Sequence, residues 1–204
     1  MRERFSLEVE HKDACRLIWR AYAQLTAERG FKAMADEPTL EHIRQAAAWL
    51  IDPFGKPGML LYGIPGNGKT TMARALQHCI NRVTEAELGY DKRIKGRFVT
   101  AQDVVDMAFD KDRTDYKRLK NEELLIIDDL GEEPLEVVVY GQPMTPTVNL
   151  LMDRYATQRM TIVTSNLTES QLEGKYKARL YDRMKEMMEL VLFTNASYRG
   201  RVVK

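Results

Sequence analysis

The chain has 204 residues, room for one sizeable α/β domain rather than two. Hydrophobic residues make up 44%, charged residues 30%, and the net charge is +1, which excludes a disordered chain and any hold on nucleic acid through bulk charge. Two distant cysteines, Cys15 and Cys79, exclude a disulfide framework or thiolate metal site, and no apolar stretch approaches the ~18 residues of a membrane span, so a cytoplasmic protein with no membrane partner is expected.

Residues 11–29 carry Ala14, Cys15, Ile18, Trp19, Tyr22 and Leu25 on one stripe, and the spacing predicts a helix stopped at Gly30. Thr39 is expected to cap a second helix over 40–51, ended by Pro53. Residues 1–52 thus read as helices flanking a core that occupies 53–204. Residues 59–62 form a short apolar strand. The residues after it, Gly63-Ile64-Pro65-Gly66-Asn67-Gly68-Lys69-Thr70, match G-x-x-x-x-G-K-[ST], the phosphate-binding P-loop. Each type at its place has a physical job. The glycines let backbone N–H groups turn toward phosphate oxygens, and Lys69 supplies a compact positive charge. The Thr70 hydroxyl suits Mg²⁺, and a helix dipole sits beneath the phosphates. Helical spacing begins at once after the loop, with Met72, Ala75, Leu76, Cys79 and Ile80 on one face, and Cys79 is read as core. Thr71 opens that helix and is grouped with the binding residues.

Further along, residues 90–97 are a polar, basic connection, 98–100 a second strand, and 102–122 one helix with a charged middle. Residues 124–127 are continuously apolar, as a central parallel strand should be. Glu132 to Gly141 begins polar and turns apolar, and reads equally as a hairpin or as a surface for a neighbouring subunit. A helix over 147–158, a strand over 160–164, a helix over 168–188 and a strand over 189–193 complete the pattern. Alternating strands and helices predict an α/β fold with a parallel sheet of five strands and helices on both faces.

The third strand delivers Asp128 and Asp129 to its C-terminal end, where sites gather in open α/β sheets. This is the form of a Walker B element. Asp128 is the expected Mg²⁺ partner and Asp129 the group that orients an attacking water. Aspartate is one methylene shorter than the glutamate common there, which predicts slow or partner-dependent hydrolysis. Asn166, after the fourth strand, can donate and accept at once and is a candidate for contact with a γ-phosphate or the water. Arg179 and Arg183 lie four apart on one helix face; on spacing alone they are a solvated basic face.

The P-loop, Leu-Leu-Ile-Ile-Asp128-Asp129-Leu-Gly131, Val-Thr-Ser-Asn166-Leu and Arg179-Leu-Tyr-Asp-Arg183-Met together resemble the AAA+ ATPases of the DnaC/DnaI helicase-loader and IstB transposition-helper group. The stretch Asn149 to Tyr155 and the ending Asn195 to Arg199 fit as well, although Asn195 stands where glycine is usual. The resemblance covers residues 45 to 200, roughly. It implies strand order 5-1-4-3-2, a minimal or missing lid domain, ATP and Mg²⁺ as cofactors, and self-association through the ATP site. By position Arg183 resembles an arginine finger acting in trans, with Arg179 the runner-up. Single-stranded DNA and a replicative helicase, or a transposase, are the implied partners. DNA contacts are expected from Lys92, Arg93 and Lys95, and from Lys111, Arg113, Lys117 and Arg118 with Phe109 and Tyr116 among them. Neighbouring carboxylates nearly cancel the second group. Three readings follow: a helicase-loader-like ATPase, a transposition helper, and a nucleotide-gated adaptor with negligible hydrolysis.

Overall fold

Strands whose two faces are both covered by helices read as unbroken apolar runs, and the centre of this molecule is built from such runs. The computed structural model describes residues 4–88 and 94–198. Its main sheet holds β1 (Gly58–Gly63), β2 (Gly96–Thr100), β3 (Leu124–Leu130), β6 (Met160–Ser165) and β7 (Met188–Phe193), all parallel, in the order β2-β3-β6-β1-β7. With the hairpin strands left out, this is the order 5-1-4-3-2 read from one edge. The α/β class, the five parallel strands and their order are therefore as expected.

Alternate residues of each strand feed opposite faces. Met59, Leu61, Leu124, Ile126 and Ile162 face α1 (His11–Glu28), α2 (Glu37–Ile51) and α3 (Lys69–Leu88) in one continuous core. Cys79 lies in this core, as expected. Leu60, Leu125, Ile127 and Val163 face α4 (Ala101–Phe109), α5 (Thr114–Leu119), α6 (Pro146–Thr157) and α7 (Glu169–Met187) in a second. The two flanking helices α1 and α2 thus share apolar packing with the helix that follows the P-loop.

Three local expectations change. Asp36, not Thr39, caps α2: its carboxylate accepts the Thr39 N–H at 3.0 Å, with proline in the first turn. The single helix expected over 102–122 is two, because Arg113 takes a left-handed conformation (φ 52°) between α4 and α5. α7 is interrupted at Lys177 (φ 63°, ψ 157°), so its two halves run in different directions. The segment after Glu132 resolves as an antiparallel hairpin, β4 (Val137–Val139) and β5 (Gln142–Met144), turned through Tyr140 and Gly141 at positive φ.

Candidate functional site

The P-loop lies between the C-terminal end of β1 and the N-terminus of α3, where loop amides and the helix dipole both favour an anion. It is tightly enclosed. Gly68 has φ +99°, and a Cβ there would stand 2.5 Å from the Tyr22 hydroxyl of α1, so only glycine fits. The Lys69 ammonium, only 4% exposed, donates to the carbonyls of Gly63 at 2.8 Å and Ile64 at 2.7 Å and to Asn67 Oδ1 at 3.1 Å. It sits inside the loop, within reach of the space that a phosphate would fill. From outside, the chain beyond β7 fastens the loop. Asn195 Nδ2 donates to the Asn67 carbonyl at 2.9 Å, the Tyr198 N–H donates to the Gly66 carbonyl at 2.8 Å, and Asn67 Nδ2 donates to the Phe193 carbonyl at 3.0 Å. The Tyr198 hydroxyl contacts Asp36 and Thr39 of the α2 start. The Thr71 hydroxyl accepts a long bond from Arg29 at 3.3 Å and so faces α1.

The acidic end meets the loop directly. Thr70 Oγ1 donates to Asp128 Oδ1 at 2.9 Å, and Thr164 Oγ1 donates to the same oxygen at 2.6 Å. Asp128 is 6% exposed. The pairing of β3 with β6 shifts between Ile127 and Leu130, a bulge that contains both aspartates. Within it Asp129 adopts φ 55°, a left-handed conformation that costs a non-glycine residue about 1–3 kcal/mol and persists only where its surroundings hold it. The Asp129 N–H donates to Thr164 Oγ1 at 2.9 Å, and Asn166 Nδ2 donates to Asp129 Oδ1 at 3.2 Å. Burial, then the neighbouring charges of Asp128 and Glu132, push the Asp129 carboxyl above the usual carboxylate range, against the pull of Lys69 and Asn166. Thr70, Asp128, Thr164, Asp129 and Asn166, dispersed over nearly a hundred residues of sequence, are thus one hydrogen-bonded group, with the Lys69 charge beside it. The donor set, a threonine hydroxyl beside an aspartate oxygen, suits a hard divalent cation.

Thr164 is the member that sequence reasoning passed over in favour of Asn166. Its signal was faint: a hydroxyl at the end of a strand parallel to the one that bears Asp128. Only the register of β6 against β3 shows that it bridges both aspartates. Asn195 and Tyr198 carry no local mark in the sequence of fastening the P-loop.

The other candidates lie elsewhere. Arg183 is on the second half of α7, where Nη1 donates to the Tyr155 hydroxyl at 2.7 Å and to Glu186 at 3.0 Å. Arg179 is exposed on the same half-helix. Lys92 and Arg93 fall outside the described residues, and Lys95 is exposed ahead of β2. Lys111 and Arg113 are in the α4–α5 connection, and Lys117 and Arg118 are exposed on α5. The last two, with Thr114, Asn121 and Glu122, line an open groove of about 400 Å³. Tyr116 is buried and Phe109 exposed.

The sheet order, the loop between β1 and α3, and acidic residues at the end of β3 define a P-loop fold of the AAA+ type. Among solved structures, the chain is similar to the DnaC helicase loader, at 21% identity and a TM-score of 0.61 over 86% of this chain and 98% of that one. It is similar to DnaI at 20% identity and a TM-score of 0.57, over 82% of this chain and 87% of that one. It is also similar to AMPPCP-bound DnaA from Aquifex aeolicus, at 19% identity and a TM-score of 0.55, over 79% of this chain and 48% of that one. At such identities the likeness speaks for the fold. No protein-family model matches the chain, and no curated protein matches it by sequence. Among the described residues no helix is long and apolar enough to cross a membrane.

Proposed function

We propose that this chain binds Mg·ATP, hydrolyses it slowly or with help from a partner, and assists DNA replication as a helicase-loader-like factor on single-stranded DNA. The observation that carries the reading is the bond from Thr70 to Asp128, which ties the P-loop to the acidic strand end and supports a shared site. Lys69 and the loop amides would hold the phosphates, Thr70 and Asp128 the Mg²⁺, and Asp129 with Asn166 the attacking water. Bound Mg²⁺ would draw charge from the phosphates; the protein's own part is to hold ligand and water in place. Arg183 is proposed to complete the site from a neighbouring subunit, which requires that it leave Tyr155 and Glu186. The likeness in fold to the DnaC helicase loader and to DnaI supports the loader reading.

A nucleotide-gated adaptor with negligible hydrolysis is the second reading. It is favoured by Asp129, whose short side chain is already engaged by Asn166. A transposition helper shares every motif.

The test is single-stranded DNA binding by fluorescence anisotropy with ATP, with ADP and without nucleotide, at two salt concentrations. ATP-dependent binding that weakens with salt is the expected result. Tight ATP binding with no DNA binding in any state would overturn the loader reading and put the adaptor in its place.

A further inference from the structure

The carboxylate of Glu133 is buried, at 1% exposure, five residues beyond Asp128, and none of the roles above uses it. A buried carboxylate is held only by good donors, and Glu133 has them: Oε2 accepts the Gly131 N–H at 2.8 Å, and Oε1 accepts the Tyr176 hydroxyl in a short bond. The neighbouring Lys175 ammonium donates to the carbonyls of Gly131 at 2.6 Å and Glu133 at 2.5 Å. Gly131 is at φ +109°, and a Cβ there would stand 2.5 Å from Leu167, so the turn admits glycine alone. From the β6 side, Ser165 Oγ donates to the Leu130 carbonyl at 2.6 Å. The backbone leaving Asp129 is therefore gripped by β6 on one side and by two consecutive residues of α7 on the other. The next residue, Lys177, is where α7 breaks, and the half-helix beyond carries Arg179 and Arg183.

We propose that Glu133, Tyr176 and Lys175 are positioning residues that hold Asp129 in its left-handed conformation and transmit its state to the half-helix beyond Lys177, which rests on the nucleotide-site reading above. A strained residue at a site needs surroundings that over-determine it; Thr164 holds the Asp129 amide and Asn166 its carboxylate. The clamp fixes the other end of the same short turn. Because it attaches directly ahead of the break, a shift of Asp129 on nucleotide binding reaches the second half of α7 through two side chains.

The test uses the full chain and the substitutions Tyr176→Phe and Glu133→Gln, the first of which deletes one oxygen and keeps the packing. Three quantities are measured: the affinity for a fluorescent ATP analogue, the rate of a single turnover of ATP, and the ATP-induced change in amide exchange over residues 178–187. For Tyr176→Phe the expected result is nucleotide affinity within about twofold of the unsubstituted protein, with turnover slower by roughly 10- to 100-fold, as for a misplaced reacting group. The exchange response of 178–187 is expected to be lost while that of the P-loop persists. Glu133→Gln should act in the same direction, and the double substitution should be no worse than the worse single one, since the pair acts as a unit. Unchanged turnover and an unchanged exchange response in Tyr176→Phe would overturn the clamp and leave the nucleotide site standing. If the protein hydrolyses no ATP, the exchange response decides alone. A P-loop whose exchange ignores ATP in the unsubstituted protein would overturn the nucleotide reading, and the clamp's role with it.

Discussion

The P-loop end of the sheet and the α4–α5 rim both carry many charges, yet they are built in opposite ways. At the P-loop end Lys69 and Asp128 are almost fully buried, and each makes short bonds to named partners. On the rim Lys117 and Arg118 are exposed; Arg118 reaches Asp115 at 3.3 Å on the same helix, and Arg97 lies 3.7 Å from both Asp115 and Glu122. Exposed pairs of this kind contribute about 0–1 kcal/mol and are screened by salt. A buried charge must have its partner, so residue type and spacing there are constrained. An exposed charge can be exchanged with its neighbours. Residue types are therefore constrained at one end and interchangeable at the rim.

The sharpest way to break the comparison is Asp129→Asn. If Asp129 orients the water, turnover should fall by roughly 10²- to 10⁴-fold with little change in ATP affinity; an unchanged rate measured under saturating ATP would remove it from the site. Lys69→Ala should weaken ATP binding by roughly 10- to 100-fold, the worth of a charge-assisted bond, read by titration with a fluorescent analogue.

Arg154 is a buried charge beside the rim. It is 0% exposed and donates to the carbonyls of Leu119, Glu122 and Met160 and to the Thr161 hydroxyl, tying the end of α5 to the start of β6. Burial, with Arg159 nearby, pushes its guanidinium down to about 9, still charged at neutral pH. Arg154→Met leaves those acceptors without donors and should cost about 3 kcal/mol. Calorimetry should then show Tm lower by roughly 10 °C, and a change under 2 °C, roughly, would mean that water replaces the guanidinium there.

The raised Asp129 carboxyl supplies a test of smaller size and opposite sign. Its folded-state value lies above the unfolded one, so the ionised form destabilises the fold at neutral pH. That cost disappears as pH falls through the raised value toward the ordinary aspartate range. Asp129→Asn should thus raise Tm slightly at neutral pH, and the gain should shrink on acidification; a gain independent of pH would assign it to packing instead. The smallest effects belong to the rim. Alanine at Lys111, Arg113, Lys117 or Arg118 should each lower DNA affinity a few-fold and reduce the salt slope by about 1. If all four together leave the slope unchanged in anisotropy titrations, DNA does not touch this rim.

Spacing in the chain was enough to locate five strands, the helix after the P-loop, and the elements bearing Lys69, Thr70, Asp128, Asp129 and Asn166. Each depends on local regularities: apolar runs where a strand is covered on both faces, glycine where backbone must approach a ligand, and acidic residues at a strand end. The capping of α2 by Asp36 was legible too, since an aspartate two residues ahead of a proline marks a helix start, although Thr39 is also a capping residue type by sequence. The break at Arg113 left no such mark, because a left-handed arginine carries no signature in sequence.

What tertiary structure alone decided is which distant residues meet. Thr164 bridges the two aspartates because β6 pairs with β3 across a bulge. Asn195 and Tyr198 fasten the P-loop because β7 lies beside β1. Glu133 finds Tyr176 because α7 folds back over the turn after β3. These contacts span about 35 to 130 residues of chain. No local pattern encodes them, since a hydroxyl or amide is chosen by the partner that folding brings to it, and that partner is set by strand order and register.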